Sequence, residues 1–147
     1  ADRAVRVPGM ATQEEPLALA DAIARLSVPH HLLVVDCLTL WLTNLLMPAD
    51  AGDGGGQGSS RELEEDNTQK SVSSPDGIQL FAPFIASLQA APGPVVLVGN
   101  EIGLGVIPMG AQVRHFVDTL GQLNQAVAAN SQRVVLMVAG LPVCIKK

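Results

Sequence analysis

Charge is scarce in this chain. Only 16% of its 147 residues are Asp, Glu, Lys or Arg, against roughly 25% in typical soluble domains. Hydrophobic residues make up 48% and the mean hydropathy is +0.31. Long uninterrupted apolar runs are nevertheless missing. The richest stretch, 31–47 (HLLVVDCLTLWLTNLLM), is broken by Asp36, Thr39, Thr43 and Asn44 and falls short of the ~20 mainly apolar residues of a spanning helix, so no transmembrane helix is expected. ADRAVRVPGM at the start has no apolar core behind its arginines, which excludes a visible secretory signal and leaves the cytoplasm as the expected compartment. No cluster of Lys or Arg breaks a formal charge of −5. That disfavours a nucleic-acid partner and points to small molecules. Cys37 and Cys144 form no CxxC pair and, set beside apolar runs, are expected to be buried thiols. His30, His31 and His115 do not have the spacing of a zinc site, so any metal is expected to be oxygen-ligated. Also absent are a GxxxxGK[ST] phosphate loop and a complete GxGxxG, the two usual backbone cradles for phosphates.

What is present alternates regularly. Thr12 to Glu15 has capping-box spacing, and Leu17, Ala20, Ile23, Ala24 and Ser27 follow at helical intervals, so a helix is expected over 14–26. Residues 31–36 form a short β-branched run of the kind buried on both faces of a parallel sheet. A helix over 38–47, using the single tryptophan Trp41, should follow. From 49 to 76 the chain turns glycine-rich and then polar; it cannot bury enough surface to offset its ordering entropy and reads as a mobile insertion inside one domain. Ile78, Leu80, Phe81, Phe84, Ile85 and Leu88 mark another helix, with Pro83 tolerable in its first turn or at a kink. A second strand is expected over 94–99, and the longest helix over 111–129, burying Val113, Phe116, Val117, Leu120, Leu123 and Val127. A third strand should occupy 133–139. Strands alternating with amphipathic helices give an open α/β fold with a parallel sheet. Three strands are few for it, and the chain opens from Ala1 on a helix, so an N-terminal portion carrying further strands is expected to be missing.

In such sheets ligands sit outside the carboxyl ends of the strands. Asp36 closes LLVVD. Its carboxylate either orients Mg²⁺ beside nucleotide phosphates or caps the helix that follows, and the local pattern does not choose between them. Asn100 and Glu101 close VVLVGNE, an amide and a carboxylate on the same rim. On the long helix Arg114, Asp118, Gly121 and Gln125 share one stripe, with Asn124 at its edge. A mid-helix glycine costs ~1 kcal/mol relative to alanine, so a close contact, from a neighbouring subunit or a bulky ligand, is expected at Gly121.

DCLTLWLTNLL, VGNEIGLGVIPMG, the spaced RxFxDxxGxLNQ of 114–125 and the closing VVLMVAGLP together resemble the bifunctional adenosylcobinamide kinase / adenosylcobinamide-phosphate guanylyltransferase family of cobalamin biosynthesis. The resemblance covers the chain from about Thr12 onward, apart from 49–76. It implies a RecA-like, P-loop NTPase-type three-layer fold with a mainly parallel sheet, assembled as a homo-oligomer, a trimer. It also implies two reactions: phosphorylation of adenosylcobinamide, and transfer of GMP from GTP to the resulting phosphate through a guanylylated histidine. GTP or ATP with Mg²⁺ would be the nucleotide, and adenosylcobinamide and its phosphate the other ligands. Glu14 matches the glutamate of the family's T-x-E-E/A motif, a nucleotide contact, and Asp36 matches the strand-end acid that binds nucleotide and metal. Asn100, Glu101, Arg114, Asp118, Gly121 and Asn124 would face substrate or a subunit interface. The family's Gly-Lys-Ser loop and its guanylylated histidine fall before residue 1, and Met10 stands where the family's R-P-x-H-W segment has its tryptophan. None of the three histidines aligns with the nucleophile. No catalytic residue is therefore assigned within the chain, which by itself is expected to be inactive. Another RecA-like NTPase fragment and a non-catalytic subunit of the same fold are the alternatives.

Overall fold

A computed structural model describes residues 9–47, 77–105 and 108–147. The insertion expected over 49–76 lies outside the described residues. Helix α1 spans Leu19–Leu26, strand β1 Leu33–Asp36, helix α2 Leu38–Leu46, helix α3 Gly77–Ala90, strand β2 Val95–Val98 and helix α4 Ala111–Asn130. Strands β3, Val134–Val138, and β4, Leu141–Lys146, close the chain. The fold is thus α/β with a parallel pair of strands: β1 and β2 pair in register, Leu33 with Val95 through Asp36 with Val98.

One core joins these elements. Leu19 and Ile23 from α1, Leu38, Trp41 and Leu42 from α2, Phe81 and Phe84 from α3, and Leu120 and Leu123 from α4 are buried together, with Leu33, Val35 and Leu97 of the sheet packed against them. The Trp41 ring lies 4.9 Å from Phe84 and 6.4 Å from Phe81, tilted to both, the offset geometry that aromatic quadrupoles favour. The turn into β2 brings backbones very close: a Cβ on Gly93 would stand 2.1 Å from the Val28 carbonyl oxygen, so only glycine fits, and its N–H donates to the buried Ser27 hydroxyl.

Several expectations need correction. Helix α1 begins at Leu19, not at residue 14, because Glu15 Oε1 accepts from the Leu17 and Ala18 N–H groups at 3.2 and 2.8 Å. The carboxylate thus satisfies donors ahead of the helix, and Thr12 to Glu15 does not act as a box. The buried face is accordingly Leu19, Ala22, Ile23 and Ser27, while Leu17 and Ala24 are exposed. These backbone donors hold the Glu15 carboxyl below its ordinary range. A depressed carboxyl contributes stability above the unfolded value and loses it as pH falls through the folded one. A carboxyl-detected NMR titration of Glu15 is expected to show an acidic shift that disappears when residues 16–18 are unfolded; an ordinary midpoint in the native state would refute the cap.

β1 and β2 are not buried on both faces. Among the described residues helices cover one face only, and Val34, Val96 and Val98 on the other are exposed. Nor does 133–139 supply a third parallel strand. Ala139 and Gly140 both have positive φ, 50° and 79°, the two-residue turn whose twist suits a hairpin, and the chain folds straight back so that β3 pairs antiparallel with β4. Pro142 sits in β4 opposite Met137, a position an edge strand tolerates. Among the described residues nothing covers β4, so Cys144 is exposed rather than buried, and Cys37 is half-buried. Val113 is exposed as well, because α4 meets the core only from Phe116 onward. Pro83 lies seven residues into α3, past the first turn.

Candidate functional site at the strand ends

The C-terminal ends of β1 and β2 are level, since Asp36 pairs with Val98. Asp36 is exposed at this edge. Helix α2 starts two residues later, and the residue between, Cys37, is its cap, with Sγ accepting from the Leu40 N–H at 3.4 Å.

Two residues past β2 the chain enters the Asn100–Glu101 loop, which is held from two helices. From α2, the Thr39 hydroxyl accepts the Asn100 N–H at 2.9 Å. From α4, the Asn124 side-chain amide donates to the Asn100 carbonyl and to Glu101 Oε2, each at 3.2 Å. The other carboxylate oxygen, Oε1, accepts the Gly103 N–H at 2.9 Å. The rim therefore gathers Asp36, Thr39, Asn100, Glu101 and Asn124. Thr39, the second residue of α2, is not among the sequence candidates; the signal that could have found it is its place in the DCLTLWLTNLL motif, three residues after Asp36.

Other sequence candidates lie elsewhere. Glu14 is exposed, and the contacts of the adjoining segment lead to the later turns of α2: Trp41 Nε1 donates to the Leu17 carbonyl and Asn44 Nδ2 to that of Pro16. Arg114 is ten residues before Asn124, about 15 Å along a helix. Its guanidinium donates to the Pro108 and Met109 carbonyls, so it fastens the loop entering α4. Asp118 is exposed. A Cβ on Gly121 would meet nothing within 4 Å, so no neighbour among the described residues accounts for the glycine. Gly121→Ala is expected to stabilise the complete protein by about 1 kcal/mol through helix propensity, while Gly121→Leu lowers oligomer stability or substrate affinity if that opening is filled by a partner. Equal gains from both variants in thermal melts, with unchanged assembly and kinetics, would make the stripe plain surface. His30 and His31 precede β1, at the end of the strand opposite the rim.

Among the described residues no group of three or more His, Cys, Asp or Glu converges to hold a metal. No helix among the described residues is long and apolar enough to cross a membrane.

Parallel strands that present an acid, an amide and a carboxylate on one rim, over a layer of helices, place the chain among α/β proteins, a class whose ligands lie outside the carboxyl ends of the strands. The chain belongs to the cobinamide kinase / cobinamide phosphate guanyltransferase family, whose model matches residues 1–145. It is 40% identical over 144 residues to the bifunctional adenosylcobalamin biosynthesis protein CobP of Pseudomonas aeruginosa, covering 98% of this chain and 70% of that protein. To the bifunctional adenosylcobalamin biosynthesis proteins CobU of Escherichia coli and Salmonella typhimurium it is 34% and 35% identical over 118 residues, 80% of this chain and 60% of each relative.

Proposed function

We propose that the chain forms the strand-end rim of a bifunctional enzyme that phosphorylates adenosylcobinamide and then transfers GMP from GTP to the new phosphate, giving adenosylcobinamide-GDP. Family membership supports the pair of reactions. The observation that carries the site is Asp36 at the end of β1, with the Asn100–Glu101 loop, held by Thr39, on the same edge. Asp36 would hold Mg²⁺ against the phosphates of GTP or ATP, and the ion would neutralise charge as the phosphoryl group moves. Asn100 and Glu101 face the substrate side of that rim, and Glu14 is a nucleotide contact. The Arg114, Asp118 and Gly121 stripe meets a neighbouring subunit or the corrinoid. The reading extends to a RecA-like three-layer domain, a homo-oligomer such as a trimer, and a cytoplasmic enzyme.

No GxxxxGK[ST] run occurs in residues 1–147, and phosphoryl transfer depends on such a cradle and its lysine for positioning and charge. The complete protein, incubated with adenosylcobinamide, labelled GTP and Mg²⁺, is expected to give the phosphate ester, then the GDP ester, and an acid-labile GMP adduct on the protein. Residues 1–147 alone are expected to give none of the three. GTP turnover by the complete protein without any corrinoid product would point instead to another NTPase of this fold.

A further inference from the structure

We propose that Asn124 is a positioning residue of the rim: its side-chain amide, working against the Thr39 hydroxyl on the opposite side, sets the orientation of the Glu101 carboxylate during phosphoryl transfer. The proposal rests on the reading of the rim as the site of that reaction.

The geometry is that of a two-sided clamp. Thr39 Oγ1 takes the Asn100 N–H from α2, and Asn124 Nδ2 takes the Asn100 carbonyl from α4, so one peptide segment is gripped on its donor and on its acceptor by different helices. The same Asn124 amide also holds Glu101 Oε2, and Oε1 is held by the Gly103 N–H. Both carboxylate oxygens thus have a donor, one on each side. A carboxylate on a loop otherwise samples several rotamers, and freezing it in advance removes reorganisation from the reacting complex. The anchors are themselves fixed: the Thr39 carbonyl accepts from the Thr43 hydroxyl, and the neighbouring Leu123 is wholly buried in the core. Asn124 uses only its donor end toward this loop, which gives its substitutions a distinctive order.

The experiment is a series at position 124 in the complete protein, with Thr39→Val and Thr39→Ser as a second series. Hydrogen exchange by NMR or mass spectrometry reads the loop, and steady-state kinetics with adenosylcobinamide and GTP read the reaction. Asn124→Ala is expected to speed exchange of the Gly103 amide, and to lower kcat by about tenfold or more with KM for GTP changed less than about twofold, the range usual for groups that orient a reacting shell. Asn124→Asp matches the native shape but puts a carboxylate against the Asn100 carbonyl and Glu101, so its kcat is expected to fall at least as far as that of Asn124→Ala. Asn124→Gln keeps the donor and is expected to recover part of the loss. A mere packing role would reverse the order, with Asp above Ala. Thr39→Val is expected to speed exchange of the Asn100 amide, and Thr39→Ser to leave it protected. Unchanged loop exchange in Asn124→Ala, or altered exchange with wild-type kcat, overturns the proposal. Wild-type protein inactive on adenosylcobinamide would instead overturn the functional reading on which it stands.

Discussion

Asp36→Asn in the complete protein is expected to lower kcat for both reactions by roughly 100-fold while moving the thermal midpoint by no more than a few degrees. The separation of the two effects follows from position. Asp36 is exposed at the end of its strand, where an isosteric exchange falls within the ~0.5 kcal/mol usual for surface substitutions. Function depends on what the exchange removes, a full negative charge. Mg²⁺ is held by one or two carboxylates plus phosphates and water, so a neutral amide weakens the ion's placement, and loss of outer partners alone costs 10–100-fold in comparable sites. Raising Mg²⁺ should recover part of the rate in the variant and none in the wild type. Wild-type rates for both reactions in Asp36→Asn would remove the residue from the site altogether.

Phe84→Ala is expected to be the most damaging single change to stability, at about 3–5 kcal/mol. Phe84 is 1% exposed and sits against Trp41 on α2, in a core that four helices and the inner sheet face share. Truncation leaves a void where these elements meet, and close packing prevents the walls from collapsing fully. For a domain of this size each kcal/mol moves the midpoint by ~2–4 °C, so a fall of roughly 10 °C is anticipated in thermal melts followed by fluorescence of Trp41, the single tryptophan. Leu40→Ala, on the outer side of α2 where the residue is 59% exposed, should move it little. Equal losses from both would mean that the core is not where the buried residues place it.

The parts of the fold that sequence revealed were those where one physical signal acted alone. LLVVD and VVLVG are short β-branched runs, and both became paired strands. Helix α4 has twenty residues and starts at the expected Ala111, since a long amphipathic repeat averages out local exceptions. The errors arose where two signals competed. Thr12 to Glu15 carries a helix-start pattern, yet Pro16 follows it and Glu15 turns its carboxylate to Leu17 and Ala18. Ala139–Gly140 is a hairpin turn hidden by a non-glycine residue at positive φ and by Pro142 in the returning strand. Asp36, Asn100, Glu101 and Asn124 stand out in the sequence because polar residues close apolar strands or interrupt a helix face, and the structure sets them along one edge of the β1–β2 pair. Arg114 shares the 114–125 motif with Asn124, yet its guanidinium reaches the Pro108 and Met109 carbonyls instead of the rim, because a motif records which residues travel together and not which ones touch. Thr39 lies within the DCLTLWLTNLL run, which does not by itself say that its hydroxyl meets the Asn100 N–H.

The contrast between the two strand pairs carries a kinetic consequence. β3 and β4 are joined by a two-residue turn, whereas Leu33 of β1 finds Val95 of β2 across some sixty intervening residues. Closing the longer loop costs several kcal/mol more chain entropy than closing the tight one, and no backbone bond between β1 and β2 repays it until the intervening helices have collapsed onto their core. Local hairpins close in microseconds, and distant parallel pairings wait for the rest of the chain. The rim is assembled from the late pairing. Asp36 and the Asn100–Glu101 loop meet only when β1 and β2 align, so this edge of the sheet is expected to form after the hairpin at the other end of the chain.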